Sequence, residues 1–255
     1  MLPWKEAAAA ERRARKELMR LFRVQSHDLK SPLFVIQGFI ELLSSDYAEK
    51  LDEEGQDFLR RIRGSTEQMK KVMEEISHIV KLLARPNALR PTPLREIVEE
   101  ALLKYNYLIE EGGVRVEFPH DLPTVHCDDE KMREVIGALI SNALSFNDRP
   151  KGERSIVIDC NAEASRCCLT VRDNGIGIDP RYAGQIFDLG MKLDKSRGGG
   201  PGYGLYLARR MAEAHGGSIS VESAPEQGST FCVTIPTAPP PSKRLPAAAP
   251  HPAGR

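Results

Sequence analysis

The chain has 255 residues, of which 41% are hydrophobic and 28% are charged, and these proportions are typical of a globular protein with one or two domains. Lys and Arg together number 36, as do Asp and Glu, so the formal net charge is zero and gives no support to a nucleic-acid partner. The apolar run at residues 33–36 is far too short for a membrane span, and no signal peptide opens the chain, so we expect a cytoplasmic protein without direct membrane insertion.

Residues 6–85 have the apolar spacing of two amphipathic helices. Residues 46–55 are polar and contain turn formers, so we expect a helical hairpin with its loop there. The apolar positions of the first helix, interrupted only by Gln25, are Leu18, Phe22, Leu29, Leu33, Ile36, Ile40 and Leu43. Those of the second helix are Phe58, Ile62, Met69, Val72, Ile76, Ile79 and Leu83.

Two helices alone cannot enclose a hydrophobic core. We therefore expect two copies of the hairpin to assemble as a four-helix bundle, which would make the protein a homodimer. The alternative is that the hairpin packs against the C-terminal half of its own chain.

His27 lies on the first helix, two residues after Gln25 and two before Leu29. At about 100° per residue its side chain points away from the apolar stripe by nearly half a turn, so we expect it to face solvent. Pro32 lacks an N–H group and should bend the helix nearby. A neutral imidazole has one nucleophilic nitrogen, and Asp28 can hold the proton on the other. His27 and Asp28 are therefore candidate catalytic residues, and the alternative is an ordinary surface pair.

Prolines at positions 86, 91 and 93 interrupt the helical pattern and predict a linker. Beyond it, helical patterns alternate with short runs rich in β-formers, which indicates a two-layer α/β sandwich. The predicted helices cover residues 94–111, 128–146 and 205–215, and the predicted strands cover residues 114–118, 155–160, 167–172, 218–222 and 230–235. After residue 236 the chain is rich in Pro and Ala and is predicted to be a disordered tail.

The five cysteines show no zinc-ligand spacing, and their odd number argues against a complete disulfide framework. We therefore expect reduced and mostly buried thiols.

The chain has no Gly-x-x-x-x-Gly-Lys-Ser/Thr motif, which excludes a P-loop. Asp173 follows a predicted strand, where its carboxylate can accept a hydrogen bond from an amino group such as that of adenine. Gly175 and Gly177 let the backbone approach a flat ring. Asn142 lies on the predicted helix 128–146, and its amide oxygen is a suitable ligand for Mg²⁺ shared with phosphates. Taken alone, these residues could equally form a plain turn and a polar helix surface.

A glycine-rich segment at residues 198–204 leads directly into the predicted helix 205–215. Free N–H groups and the positive end of the helix dipole favour phosphate there. Lys192, Lys195 and Arg197 precede the glycines, so we expect a cationic lid over the site. The alternative is a flexible linker.

Five segments, taken in chain order, resemble the motifs of two-component sensor histidine kinases, and the similarity extends over residues 15–236. These segments are Ser26-His27-Asp28-Leu29-Lys30-Ser31-Pro32-Leu33 (the H-box), Ser141-Asn142-Ala143 (the N-box), Asp173-Asn174-Gly175-Ile176-Gly177 (the G1-box), Ile186-Phe187-Asp188 (the F-box) and Gly200-Pro201-Gly202-Tyr203-Gly204-Leu205 (the G2-box).

The resemblance implies an α+β protein in which a hairpin that dimerises into a four-helix bundle precedes a sandwich of the histidine kinase, gyrase and chaperone ATPase type. The predicted parts are a helical extension at 1–14, the phosphotransfer hairpin at 15–88, the ATP-binding domain at 89–236 and the tail at 237–255. The implied function is ATP-dependent autophosphorylation of a histidine, followed by phosphotransfer to an aspartate of a response regulator. ATP and Mg²⁺ are the implied cofactors.

The resemblance also implies roles for single residues. His27 would accept the phosphoryl group with Asp28 as general base, Asp173 would bind the adenine amino group, and Asn142 would coordinate Mg²⁺. The other implied nucleotide contacts are Gly175 and Gly177 at the base pocket and lid hinge, Gly200, Gly202 and Gly204 around the phosphates, and Phe187, Lys192 and Leu205.

Two positions depart from the family pattern. Ala138 stands where the family usually has a second Asn, and Ser145 stands where it usually has Lys. One contact near the metal and one phosphate contact are therefore missing, and Glu134 is a candidate to help hold the metal. The alternative function is a nucleotide-binding signalling adaptor that acts through dimerisation and conformation. Ala138 also cannot act as the water-activating base of the gyrase and chaperone ATPases, which argues against ATP hydrolysis for mechanical work.

Overall fold

The structure is a computed structural model that describes residues 30–147, 152–163, 165–193 and 202–237. The chain divides into two compact units, Met1–Pro86 and Asn87–Arg255. Within the described ranges no helix combines the length and the apolar character needed to cross a membrane.

The first unit contains two helices joined by a short turn. Residues 30–46 form helix α1, a 3₁₀ turn follows at Ala48–Lys50, and helix α2 covers Glu53–Ala84. Asp52 caps α2, because its carboxylate accepts a hydrogen bond of 2.8 Å from Gly55 N. The helix ends where Arg85 becomes extended (φ −78°, ψ 145°), as the proline that follows requires. The predicted hairpin is confirmed over the described residues, with a shorter loop than expected.

The apolar side chains of this unit include a buried set and an exposed set. Leu33, Ile40 and Met73 are buried together with Thr66. A second set, which we call the open apolar face, is exposed on α1 and α2 and comprises Ile36, Phe39, Leu43, Phe58, Ile62 and Met69. Phe39 is 62% exposed and Ile62 is 48% exposed, so the described part of the hairpin does not by itself cover these large apolar side chains.

The second unit is built on a five-stranded sheet in the order β2-β4-β5-β7-β6. β2 and β4 are parallel, and the other neighbouring strands are antiparallel. A separate antiparallel pair joins β1 to β3. The strands are β1 (Arg90–Pro93), β2 (Val114–Glu117), β3 (Thr124–Cys127), β4 (Arg154–Ala162), β5 (Arg166–Asp173), β6 (Ser218–Ala224) and β7 (Gly228–Pro236).

Helices cover one face of this sheet, and the core lies between the two layers. The helices are α3 (Leu94–Lys104), α4 (Asn106–Gly112), α5 (Asp129–Phe146) and α6 (Gly204–Ala214). Alternate residues of the central strands are fully buried, such as Leu169 and Val171 on β5 and Phe231 on β7, and they face buried side chains of α5 and α6 such as Leu139 and Met211. The predicted α+β class with a two-layer sandwich is confirmed.

The structure corrects one predicted helix of the second unit and adds two strands that were not predicted. The helix expected over residues 94–111 is interrupted at Tyr105, whose φ of −104° and ψ of 10° separate α3 from α4. β1 was not anticipated because Pro91 and Pro93 disfavour a strand, yet a two-stranded edge pair tolerates them. Its partner β3 was not anticipated either.

Four of the five cysteines are paired, so the expectation of reduced thiols is wrong for them. Disulfides join Cys160 to Cys167 across β4 and β5, and Cys168 to Cys232 across β5 and β7. Cross-strand neighbours of this kind cannot be read from sequence spacing. Cys127 is free, and its burial raises the pKa of its thiol to about 11.

Candidate functional site

Asp173 is held in place at the end of strand β5. Its side chain is buried, and its Oδ1 accepts hydrogen bonds from Gly175 N at 2.8 Å and from Ser229 N at 3.3 Å. Ser229 belongs to strand β7, which pairs with β5 in an antiparallel register that places Thr230 opposite Arg172, the residue before Asp173. A buried carboxylate with one oxygen fixed by two backbone donors has a defined orientation, which suits recognition of an amino group.

The two G1 glycines are required by close backbone packing. A Cβ on Gly175 would lie 2.1 Å from Phe146 O at the end of α5. A Cβ on Gly177 would lie 1.9 Å from Ala224 O, and the φ of Gly177 is +69°. These glycines therefore bring the segment after Asp173 against α5 on one side and the β6–β7 turn on the other.

Helix α5 carries four of the positions singled out in the sequence. Asp128 caps this helix by accepting a hydrogen bond of 3.2 Å from Lys131 N. Glu134, Ala138 and Asn142 follow at intervals of four and are all half-buried, so they form one ridge of the helix. Ser145, one turn later, is exposed.

The N-terminus of α6 meets this ridge. A Cβ on Gly204 would lie 3.6 Å from the Cβ of Ala138, so the first turn of α6 packs beside the position of the missing Asn. Gly202 has a φ of +85°, and its carbonyl accepts a hydrogen bond of 3.2 Å from Gly190 N. This bond joins the residues on either side of segment 191–201, which includes the predicted lid.

Three other residues predicted to contact the nucleotide, Phe187, Lys192 and Leu205, differ in burial and in the elements that they contact. Phe187 is buried and packs edge-to-face on Phe231 with a centroid distance of 6.4 Å. It also lines a cavity of about 430 Å³ with residues of α6 and β6, and Asp173 and Asn142 do not line that cavity. Lys192 is exposed at the start of the lid segment, and Leu205 is half-buried in the first turn of α6.

The structure thus brings Gly204 next to Ala138, one turn before Asn142 on α5, and fixes Asp173 separately against Ser229. His27, Asp28 and Gly200 lie outside the described residues. Ser229 was not predicted as a partner of Asp173. The one sequence feature that points to this residue is the Gly-Ser-Thr run at the start of the last strand. Among the described residues, no three His, Cys, Asp or Glu side chains converge as a metal site.

Two family models match the chain in sequence order. The His Kinase A (phospho-acceptor) domain matches residues 17–85, and the Histidine kinase-, DNA gyrase B-, and HSP90-like ATPase matches residues 127–239. The chain belongs to the histidine kinase family. The first match contains His27 and the second contains both Asn142 and Asp173. The family and the fold class predicted for this histidine kinase core are therefore confirmed.

Similar proteins support the same assignment. Cyanobacterial phytochrome B of Nostoc sp. is 35% identical over 225 residues, which are 88% of this chain and 30% of the phytochrome. This histidine kinase core spans less than a third of the length of the first curated relatives that it matches.

Solved structures of histidine kinases share the fold. Full-length ShkA in complex with AMPPNP superposes with a TM-score of 0.68 at 23% identity, over 87% of this chain and 47% of that chain. The histidine kinase ThkA in complex with the response regulator protein TrrA gives a TM-score of 0.62 at 21% identity, over 93% of this chain and 67% of that chain.

Proposed function

We propose that this chain transfers the γ-phosphoryl group of ATP to His27 and then passes it to an aspartate of a response regulator. The observation that carries the proposal is the buried carboxylate of Asp173, fixed by the N–H groups of Gly175 and Ser229 in a domain of the ATPase family. A phosphoacceptor domain that contains His27 precedes it on the same chain. The cytoplasmic location stays a prediction.

In the proposed nucleotide site, Asp173 accepts a hydrogen bond from the amino group of adenine. Gly204 and Leu205 in the first turn of α6, and Gly202 just before it, supply N–H groups and a positive dipole end to the phosphates. Gly200 and Lys192 would contribute from the lid segment. Phe187, which packs on Phe231, is also proposed as a nucleotide contact.

Mg²⁺ would neutralise the charge of the ATP phosphates when bound. Asn142 fits as a direct ligand, because its half-buried amide lies on the ridge of α5 that packs beside the N-terminus of α6. Glu134 lies on the same unbroken helix, and eight residues correspond to about 12 Å along its axis. Because Mg²⁺–oxygen bonds are only about 2.0–2.1 Å long, both side chains would have to extend fully toward each other to bond one ion directly. We assign Glu134 a role through water.

The proposed reaction is an in-line displacement at phosphorus. A nitrogen of the His27 imidazole forms a bond to the γ-phosphorus, the bond from that phosphorus to the bridging oxygen breaks, and ADP leaves. Asp28 would hold the proton of the other ring nitrogen. The product is a phosphoprotein, and its high-energy P–N bond can transfer the group to a carboxylate.

The open apolar face supports a homodimer as the working state. Its six side chains are exposed in a single chain and lie on both α1 and α2. A second copy of the same hairpin offers the matching surface, and two copies give a four-helix bundle.

A response regulator is proposed as the partner that receives the phosphoryl group. ThkA, which shares the fold of this chain, has been solved with the response regulator protein TrrA. The receiving side chain would be an aspartate of such a protein.

The proposal is tested by incubation with γ-labelled ATP and Mg²⁺. We expect acid-labile label in the wild type, no label in His27→Ala, and a loss of both ATP binding and label in Asp173→Asn. His78→Ala is the matched control, because His78 is an exposed histidine on α2 within the same unit. Label that survives in His27→Ala would contradict the assignment of the phosphoacceptor.

The second candidate function is a nucleotide-binding adaptor without transfer. It is favoured by the contact of Ala138 with the start of α6, where the usual Asn is replaced by a side chain that cannot bind metal or phosphate. ATP binding that depends on Asp173, with no label in the wild type, would support this function and contradict the kinase.

A further inference from the structure

The side chain of Asn174, which lies between Asp173 and Gly175, is bonded to the start of strand β4. Its Oδ1 accepts a hydrogen bond of 2.9 Å from Ser155 N, and its Nδ2 donates a hydrogen bond of 2.8 Å to Glu153 O. Both polar ends of this one amide are therefore bonded to backbone groups that lie 19 and 21 positions away in the sequence.

These two bonds continue the pairing of β4 with β5 beyond its last backbone pair. The antiparallel register ends where Ile156 lies opposite Asp173. One position further along β4, the N–H group of Ser155 is bonded to the side chain of Asn174 instead of to a backbone carbonyl. A side-chain amide has both donors and an acceptor, so it can take the place of a peptide group in this way. The end of the strand that carries Asp173 is thus anchored to β4.

A second asparagine completes the same junction. Asn147 directly follows α5 and is fully buried, and its Nδ2 donates a hydrogen bond of 2.9 Å to Ser155 O. Ser155 therefore has both of its backbone polar groups bonded to asparagine side chains. Ile176 N also donates a hydrogen bond of 3.1 Å to Phe146 O at the end of α5. The start of β4, the end of α5 and the segment after β5 are held together by these bonds.

Strand β7 contacts the main chain of Asn174. A Cβ added to Gly228 would lie 2.1 Å from Asp173 O and 2.8 Å from Asn174 Cα. Because β5 lies between β4 and β7 in the sheet, Asn174 is contacted by both neighbouring strands: β4 bonds its side chain and β7 packs against its backbone. The position of Asn174 is therefore defined by the sheet.

The position of Asn174 also determines where one hydrogen-bond donor of Asp173 lies. Gly175 N donates a hydrogen bond of 2.8 Å to Asp173 Oδ1, and this N–H group belongs to the planar peptide that joins Asn174 to Gly175. A shift of Asn174 would move this donor and would change the orientation of the carboxylate that the bond fixes. Asn174 can therefore act on the nucleotide through Asp173 without touching it.

We propose that Asn174 is a positioning residue that gives the nucleotide site its preference for adenine, because its amide keeps the Asp173 carboxylate aimed at the exocyclic amino group. This inference rests on the proposed nucleotide site. A hydrogen bond to a carboxylate contributes to selectivity only while its geometry is maintained, since misaligned bonds weaken steeply. Selectivity for the amino group should therefore depend on Asn174 more strongly than the binding of the phosphates does.

The test compares the Kd of ATP with the Kd of purine riboside 5′-triphosphate in the full chain with Mg²⁺. The analogue has the same ring, ribose and phosphates as ATP and lacks only the amino group. The wild type should bind ATP more tightly by at least about tenfold, which is the contribution of one hydrogen bond to a charged group. Asn174→Ala should lower this ratio by at least about threefold, mainly through weaker ATP binding. A merely structural role would weaken the binding of both nucleotides alike and leave the ratio unchanged.

Asn106→Ala is the matched control. It removes the same amide on α4, where Asn106 Nδ2 donates a hydrogen bond of 2.8 Å to the Glu110 side chain on the exposed surface. The ratio of the two Kd values in this variant should equal that of the wild type.

Asn174→Asp is a second variant with almost the same side-chain shape, and it keeps the proposal falsifiable if Asn174→Ala folds poorly. A carboxylate can still accept a hydrogen bond from Ser155 N, but it cannot donate one to Glu153 O. The ratio should therefore fall in this variant too. Its added negative charge acts on both triphosphates and cancels in the ratio.

A wild-type ratio in both Asn174 variants would overturn the inference and leave Asp173 standing as the adenine contact. A wild type that binds ATP and the analogue equally would show that Asp173 does not recognise the amino group, so the proposed nucleotide site would fail and the inference with it. Labelling of His27 in the same samples tests phosphoryl transfer separately. A wild type that shows the expected ratio but acquires no label would count against the kinase function and leave the role of Asn174 to be decided by the two variants.

Discussion

Gly177 shows how single residues around the site are fixed by backbone packing. Its φ of +69° is rarely adopted by L-residues, and an added Cβ would lie 1.9 Å from the carbonyl oxygen of Ala224 at the end of β6. The sequence suggested that this glycine, with Gly175, lets the chain approach a flat ring. The structure gives both glycines a different requirement, because each one touches the backbone of another element.

Gly177→Ala should therefore destabilise the second unit even without nucleotide. We expect the free energy of unfolding to fall by at least about 2 kcal/mol, from the left-handed backbone and the collision together. Gly184→Ala is the control, since Gly184 is exposed and an added Cβ would meet nothing within 4 Å, so its effect should stay within about 0.5 kcal/mol. Denaturant unfolding of the nucleotide-free proteins measures both. Equal stability of the two variants would contradict the packing requirement.

At the scale of elements, strongly periodic segments were predictable and irregular ones were not. The helix predicted over residues 128–146 appears as Asp129–Phe146, because its apolar period and its Asp cap are local signals. β1, with the sequence Arg-Pro-Thr-Pro, has no local strand signal and exists only because β3 lies beside it. The hydrogen bond between Ser229 N and Asp173 also depends on the register of β5 and β7, which cannot be predicted from the spacing of residues in the sequence.

The two disulfides give the central strands a further link that can be tested. Thiol titration of the unfolded chain should find one reactive cysteine before reduction and five after it, because only Cys127 is free. The Cys168–Cys232 bridge has a sequence separation of 64, against 7 for Cys160–Cys167. A longer closed loop restricts the unfolded chain more. The loop-entropy model therefore predicts that removing the Cys168–Cys232 bridge lowers the free energy of unfolding by about 4 kcal/mol, and removing the Cys160–Cys167 bridge by about 2.5 kcal/mol.

Paired serine substitutions at each bridge measure this difference by denaturant unfolding under oxidising conditions. Under reducing conditions the wild type has no bridges either, so the loss of stability caused by each pair of serines should disappear. This measurement is the internal control. Five reactive thiols in the oxidised, unfolded protein would show that the bridges do not form.

At the scale of the whole molecule, the chain consists of two units, and their described residues differ in how completely they bury apolar side chains. In the ATPase unit, large aliphatic side chains of the strands and of α5 and α6 are fully buried. In the helical unit, Phe39 and Phe58 are each more than half exposed. The apolar spacing of the sequence predicted two helices and an apolar stripe on each, but the sequence does not show which of those positions are buried within one chain and which are exposed.

The open apolar face predicts a dimer of the 28.3 kDa chain in solution, which sedimentation or light scattering can measure. Ile62→Asp places a carboxylate in that face on each copy, and an unpaired charge buried in the interface should raise the dimer Kd by at least about 100-fold. Leu103→Asp is the control, because Leu103 is 76% exposed on α3 in the other unit, and its mass should remain that of the dimer. If the hairpin instead packed on its own C-terminal half, Ile62→Asp would lower the Tm of a monomer without any change in mass. A wild-type chain that remains monomeric at high concentration would contradict the assignment of the open apolar face as the dimer interface.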